Sequence, residues 1–229
     1  MHDDIGSEAL TTVDVGALSA AQLPEAVQVI ARGMRDNPVH IAALGDDPAL
    51  REKRVHRIFS RVLPVMGHTL LAARHRDGSI VGVLGMAAPG RCQSTPAQKM
   101  ALTVGLLPVR PRAVVRSLQW VGTWAAADPQ EAHWHLGPVA VDRHLQGMGI
   151  GTQLLRVYCA QMDAAKASAY LETDKPENVR FYQRFGFEVV RKEDVLGVPN
   201  WYMLRPALGS TASATGTAHE DGRASYGGA

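Results

Sequence analysis

The residues with the clearest chemical potential lie between Gln146 and Thr152, in the run Gln-Gly-Met-Gly-Ile-Gly-Thr. An apolar segment, Val139-Ala140-Val141, leads toward this turn, and an amphipathic segment follows it. Leu154, Leu155, Tyr158, Met162 and Ala165 recur at three- and four-residue spacing, which predicts a helix with one apolar face. The first N–H groups of a helix have no intrahelical partner, and the helix dipole adds positive potential around them. Glycines at 147, 149 and 151 clear side chains from that region, so the stretch predicts a cradle for a diphosphate. Taken alone, it is equally an ordinary glycine-rich strand-to-helix turn. The dinucleotide fingerprint G-x-G-x-x-G is not met, because Thr152 stands where the third glycine is required. No Gly-Lys-Ser/Thr triplet marks a nucleotide triphosphate loop.

A second stretch narrows the choice. Ala169-Tyr-Leu-Glu172-Thr-Asp leads through a short loop to Asn178, then Tyr182, and closes on Gly186-Phe187 before another apolar run. The pattern Gln-x-x-Gly-x-Gly (Gln146, Gly149, Gly151) followed by strand, asparagine opening a helix, tyrosine one turn later and Gly-Phe resembles the GNAT superfamily of N-acetyltransferases. The two blocks stand in that family's order and separation. The layout Leu-Glu-Thr-x-x-x-x-Asn-x-x-Phe-Tyr, with Trp-x-Met in the last strand, is similar to the puromycin N-acetyltransferase-like branch.

The resemblance implies an α/β (α+β) GNAT fold, a mixed, mostly antiparallel sheet of six to seven strands, flanked by helices and splayed in the middle. It implies acetyl-CoA as co-substrate and direct attack by an amine in a ternary complex. Transfer from a thioester to an amine needs a held cofactor, a polarised carbonyl, a base for the ammonium and an acid for the thiolate. Holding falls to Gln146, Gly147, Met148, Gly149, Ile150, Gly151 and Thr152, to the free edge of Val139, Ala140 and Val141, and to Asn178 and Tyr182. A backbone N–H near Val139 polarises the carbonyl. Tyr182 matches the family's tyrosine, and a phenol of ordinary pKa near ~10 can return a proton to a thiolate. The plain alternative is a ring packed between helix and sheet.

The base stays open between Glu172, at the end of its strand, and His135, on the strand before the glycine turn. Trp134 and Leu136 point to one face of that strand, and His133 and His135 share the other. Asp174 and Glu177 read as loop and helix-start residues. Metal binding is set aside, since His133-x-His135 has no third ligand at recognisable spacing and the two cysteines form no pair.

Around these residues the elements read as follows. Thr11–Val15 is a first strand. A helix runs from Ala20 to about Met34, with Ser19 as cap, until Asn37-Pro38 interrupts it. Another runs from Pro48 to about Met66, with Arg51, Lys53, Arg54 and Arg57 exposed. Asp77-Gly78 turns a hairpin between Thr69–Ala73 and Ile80–Met86. Helices follow around 96–105 and 112–126, then the strand His133–Val141. In that strand Gly137-Pro138 predicts a bulge or a strand edge, where the fold implied by the resemblance parts two strands. Two last strands, 187–192 and 200–205, are joined across Leu196–Pro199. The family's acceptor site would comprise residues about 33–50 and 87–131, where Trp120 and Trp124 share one helical face, lining a pocket or packing in the core.

With 229 residues and 46% apolar content the chain buries one sizeable core. The expected organisation is an unstructured 1–9, one domain over 10–206 and a low-complexity tail over 207–229. A net charge of +2 and no long basic run argue against nucleic acid or an anionic membrane as partner. Neither a leader nor a bilayer-spanning run is evident, so the expectation is a cytoplasmic monomer or homodimer acting on a small-molecule amine. A CoA-binding module with lost activity, or an enzyme for protein lysines or N-terminal amines, is the alternative.

Overall fold

The computed structural model describes residues 12–93, 95–106 and 111–209. The expected unstructured start (1–9), and the expected tail from residue 210 onward, lie outside the described residues. The strands are β1 (Asp14–Ala17), β2 (Thr69–Arg74), β3 (Ile80–Ala87), β4 (Trp134–Val141), β5 (Ala169–Thr173), β6 (Glu188–Val195) and β7 (Val198–Arg205). The helices are α1 (Leu23–Met34), α2 (Pro38–Leu44), α3 (Pro48–Val62), α4 (Pro96–Leu106), α5 (Pro111–Ala127), α6 (Ile150–Ala164) and α7 (Pro176–Gln183). The strands form one sheet in the order β1-β2-β3-β4-β5-β7-β6. Among them only β4 and β5 pair in parallel.

Strand alternation divides the core between the two faces. Leu71 and Ala73 of β2 join Leu154, Leu155, Tyr158 and Met162 of α6 on one face. Leu70 and Ala72 join Ala26, Val27 and Ile30 of α1 on the other. Cys159 is a free, buried thiol in α6. Ala165, expected on the apolar face of α6, lies past its last turn and is exposed.

The predicted bulge is present and shifts the phase of β4. Leu84 pairs with Val139 and Met86 with Leu136, so Gly137 and Pro138 together oppose Gly85. Trp134 and Leu136 before the bulge, and Val139 and Val141 after it, pack on the α6 face, whereas Ala140 packs against α1. An ordinary strand would put Leu136 and Ala140 on the same side; the extra residue separates them. The close approach requires glycine at 85, where a Cβ would meet Gly137 O at 2.6 Å and Pro138 Cδ at 2.8 Å.

Several expectations are corrected. β1 lies at 14–17, further along than Thr11–Val15. A short helix, α2, follows Asn37 directly, with Pro38 in its first turn. Its Val39 N–H is capped at 2.7 Å by Asp174 Oδ2, a partner 135 residues away that local sequence cannot reveal. Arg51 is buried and Arg54 half-buried. The Arg51 guanidinium donates to the Arg35 and Gly45 carbonyls and to Asp36 at 2.9 Å, which replaces its lost hydration. Lys175 caps α7, so Asn178 stands inside its first turn. β6 and β7 meet at a tight turn of Leu196 and Gly197, both of positive φ, and Pro199 falls within β7.

Candidate active site

β4 and β5 pair only at Trp134–Ala169 and His135–Tyr170, and then separate. Beyond His135 the β5-facing edge of β4, including Val139–Val141, has no strand partner among the described residues, which opens a slot toward the start of α6. Gly149, with φ 79°, is the N-cap of α6 and makes no side-chain capping bond. Gly147 also has positive φ, at 84°, a conformation that glycine adopts without steric cost. Gly151 is inside the helix and leaves room for the Phe181 ring of α7. The first N–H groups of a helix have no intrahelical acceptor, and the N-cap here supplies no side-chain one, which suits anion binding.

The Gln146 side chain anchors the start of this turn. Its amide donates to Gly33 O and Val141 O, each at 3.1 Å, and ties the end of β4 to α1. Asn178 donates to Thr173 Oγ1 at 3.2 Å and fixes α7 to the end of β5.

A cavity of about 580 Å³ adjoins the slot, reached by Gly137, Pro138 and Val139 on the β4 side. Apolar side chains of α3, α4 and α5 form much of its wall, among them Ile58, Phe59, Leu102, Trp120 and Trp124. The two tryptophan rings meet edge-on at 5.1 Å, and Trp124 Nε1 donates to Asn200 Oδ1 at 3.1 Å. They line the cavity and pack at the same time. His135, Glu172 and Tyr182 all line it too. Glu177 is exposed on α7, and Asp174 is held by its bond to Val39.

Glu172 Oε2 lies 3.0 Å from His135 Nε2, and the Glu172 side chain is 3% exposed. Burial works against protonation of His135, but the Glu172 charge and its neighbours outweigh it and raise its pKa well above the ordinary imidazole range. His40 and His68 behave oppositely. Burial drives them down to about 3 and about 4, so both stay neutral at physiological pH. Tyr182 is 7% exposed; burial, then the Asp174 charge, push its phenol above the usual range and keep it protonated.

The fold also supplies what the His133-x-His135 spacing lacks. Cys92, from the segment after β3, and Asp128, just past α5, converge on the two histidines, with one ligand atom of each within 4.8 Å of the others. Cys92 Sγ is 3.4 Å from His133 Nε2, and burial of the thiol is overcome by the histidines, bringing it down to about 7. Asp128 was not foreseen, although it stands only five residues before His133; its spacing there is no recognisable ligand motif, and Cys92 comes from another element.

The chain matches a family model described as the Acetyltransferase (GNAT) family over residues 67–187, more than half its length. In fold it is similar to a histone acetyltransferase HPA2-related acetyltransferase of Corynebacterium glutamicum, at 19% identity and TM-score 0.65, covering 87% of this chain and 99% of that one. Arylalkylamine N-acetyltransferase 2 of Aedes aegypti aligns at 11% identity and TM-score 0.57 over 85% and 99%. A Drosophila melanogaster polyamine N-acetyltransferase aligns at 13% identity and TM-score 0.56 over 84% and 99%.

Proposed function

This chain belongs to the GNAT family of acetyltransferases, and from that premise we propose that it moves the acetyl group of acetyl-CoA to a small primary amine with an apolar or aromatic body. The observation that carries the reading is the 580 Å³ cavity, apolar on its helical walls and bearing the Glu172 carboxylate where it meets the strand slot. Its volume suits a small molecule. An ammonium group is attracted to Glu172, and the neutral His40 and His68 do not repel it. Arg91 and Lys99 stand exposed at the margin of the cavity. No helix among the described residues is long and apolar enough to cross a membrane.

The uncapped start of α6 and the unpaired edge of β4 fit the donor's diphosphate and amide-rich arm. Bound there, acetyl-CoA supplies the thioester that the amine attacks. The N–H groups of residues 149–152 hold the diphosphate, and a backbone N–H near Val139 faces the carbonyl oxygen as charge develops on it. Glu172 accepts the ammonium proton directly or through one water, and His135 Nε2–H holds that carboxylate in place. Tyr182 gives its proton to the departing sulfur.

The resemblance to the puromycin N-acetyltransferase-like branch agrees with a small acceptor. The test is thiol release from acetyl-CoA with a panel of arylalkylamines, polyamines, aminonucleosides and lysine peptides. Turnover of a small amine with an apolar body is expected. Turnover confined to peptides, or acetyl-CoA binding with no turnover on any amine, would contradict the reading.

A further inference from the structure

We propose that Cys92, Asp128, His133 and His135 form a four-ligand site for a zinc ion. Three independent features point to it. First, three of the six ligand-to-ligand distances are close to the edges of a zinc tetrahedron. Zinc bonds of about 2.0–2.3 Å give ligand-to-ligand edges of about 3.3–3.6 Å at tetrahedral angles. Here Cys92 Sγ to His133 Nε2 is 3.4 Å, His133 Nε2 to Asp128 Oδ1 is 3.2 Å, and His135 Nδ1 to Asp128 Oδ1 is 3.4 Å. All four ligand atoms lie within 4.8 Å of one another.

Second, the outer atom of each nitrogen and oxygen ligand is already held. His133 Nδ1–H donates to Glu131 O at 2.7 Å, which leaves Nε2 with its lone pair toward the cluster. His135 Nε2 meets Glu172 at 3.0 Å, which leaves Nδ1 toward the cluster. Gln93 Nε2 donates to Asp128 Oδ2 at 3.1 Å and turns Oδ1 inward. Metal-binding histidines are oriented by such contacts on their remote nitrogens.

Third, His135 Nδ1 is buried and makes no well-formed hydrogen bond among the described residues, its neighbour being another ligand atom, Asp128 Oδ1, at 3.4 Å. A buried ring nitrogen without a well-formed hydrogen bond is costly, and a metal ion that takes the place of its proton relieves that cost. The side chains are sheltered, with His133 4% and Asp128 9% exposed.

One thiolate, two imidazoles and one carboxylate suit zinc far better than magnesium or calcium. Binding displaces the protons these groups otherwise share. Four protein ligands close the coordination sphere, so the ion is structural. It joins the segment after β3 and the end of α5 to β4, and so fixes one wall of the acceptor cavity. Glu172 keeps its contact with His135 Nε2–H, and the site does not depend on the identity of the acceptor.

The test uses the full chain, stripped with EDTA and titrated with Co²⁺. One equivalent of cobalt is expected to give a sulfur-to-cobalt charge-transfer band in the near ultraviolet and visible bands of four-coordinate intensity, both displaced by zinc. Since the chain has two cysteines, Cys159→Ala must keep the charge-transfer band and Cys92→Ser must lose it. Zinc in hundredfold excess over its dissociation constant is expected to raise the melting temperature by roughly 5–10 °C over the stripped protein. Absence of the band, its survival in Cys92→Ser, or a melt indifferent to zinc and EDTA would each overturn the proposal.

Discussion

Replacing Tyr182 with phenylalanine separates catalysis from packing, because the change deletes one oxygen and keeps the ring. The ring is 7% exposed and lies beside Phe181 at 5.3 Å and Phe187 at 5.9 Å between centroids. A buried aromatic covers about 150–250 Å², worth about 4–6 kcal/mol at ~25 cal/mol per Å², and phenylalanine retains nearly all of it. Burial and the Asp174 charge set the state of the phenol, and no hydrogen bond to a described residue contributes. The variant therefore loses no internal hydrogen bond, each worth ~1 kcal/mol, and is expected to melt within about 2 °C of the parent. Loss of a general acid costs about 10²–10⁴ in rate, or about 2.7–5.4 kcal/mol of transition-state stabilisation. Steady-state thiol release with a saturating amine should show kcat lower by at least about a hundredfold. Calorimetry should show acetyl-CoA affinity within about twofold. An unchanged kcat would remove Tyr182 from proton transfer, and a matching fall in melting temperature would make the ring a packing element.

Four further outcomes follow. Glu172→Gln keeps the shape of the slot but removes the proton acceptor, so kcat should fall by about 10²–10⁴ and its pH profile should change; a profile unmoved by the substitution would make bulk water the base. Gly85→Ala places a methyl against the backbone of the β4 bulge, costing about 1–3 kcal/mol and roughly 2–12 °C of melting temperature. Gly122→Ala in α5, where the new carbon meets nothing within 4 Å beyond the helix's own backbone and its chain neighbours, should instead raise the melting temperature slightly. His40 is 3% exposed and held down to about 3, first by burial and then by Lys175 and Arg51. The unfolded chain takes up that proton near ~6.5, so the stability from neutral His40 is complete above that pH and is lost progressively as pH falls toward 3. Melting curves of His40→Phe should show a shallower acid limb than the parent, and an identical limb would place the acid sensitivity elsewhere.

Much of the strand framework was legible from local signals. Asp77-Gly78 marked its hairpin, and Gly137-Pro138 marked the bulge, because a proline without a ladder donor has few places to sit. The facing of Trp134 and Leu136 away from His133 and His135 followed from the two-residue period of a strand. What failed depended on distant partners. The exposure expected for Arg51 rested on its charge, but carbonyls at 35 and 45 and the Asp36 carboxylate solvate it. Helix α2 was hidden because its cap comes from Asp174. The cluster around His133 was unreadable in part for the same reason, since Cys92 comes from 41 residues away and only the fold sets it beside Asp128 and the two histidines.

The central claim is that the bare first turn of α6 grips the paired phosphates of coenzyme A while its arm runs along the open edge of β4. A crystal structure of the protein soaked with acetyl-CoA tests this directly. The account predicts phosphate oxygens within hydrogen-bonding distance of the N–H groups of residues 149–152, and the thioester beside Val139, within reach of Tyr182. Density for the diphosphate elsewhere, or an arm that bypasses the gap between β4 and β5, would contradict it.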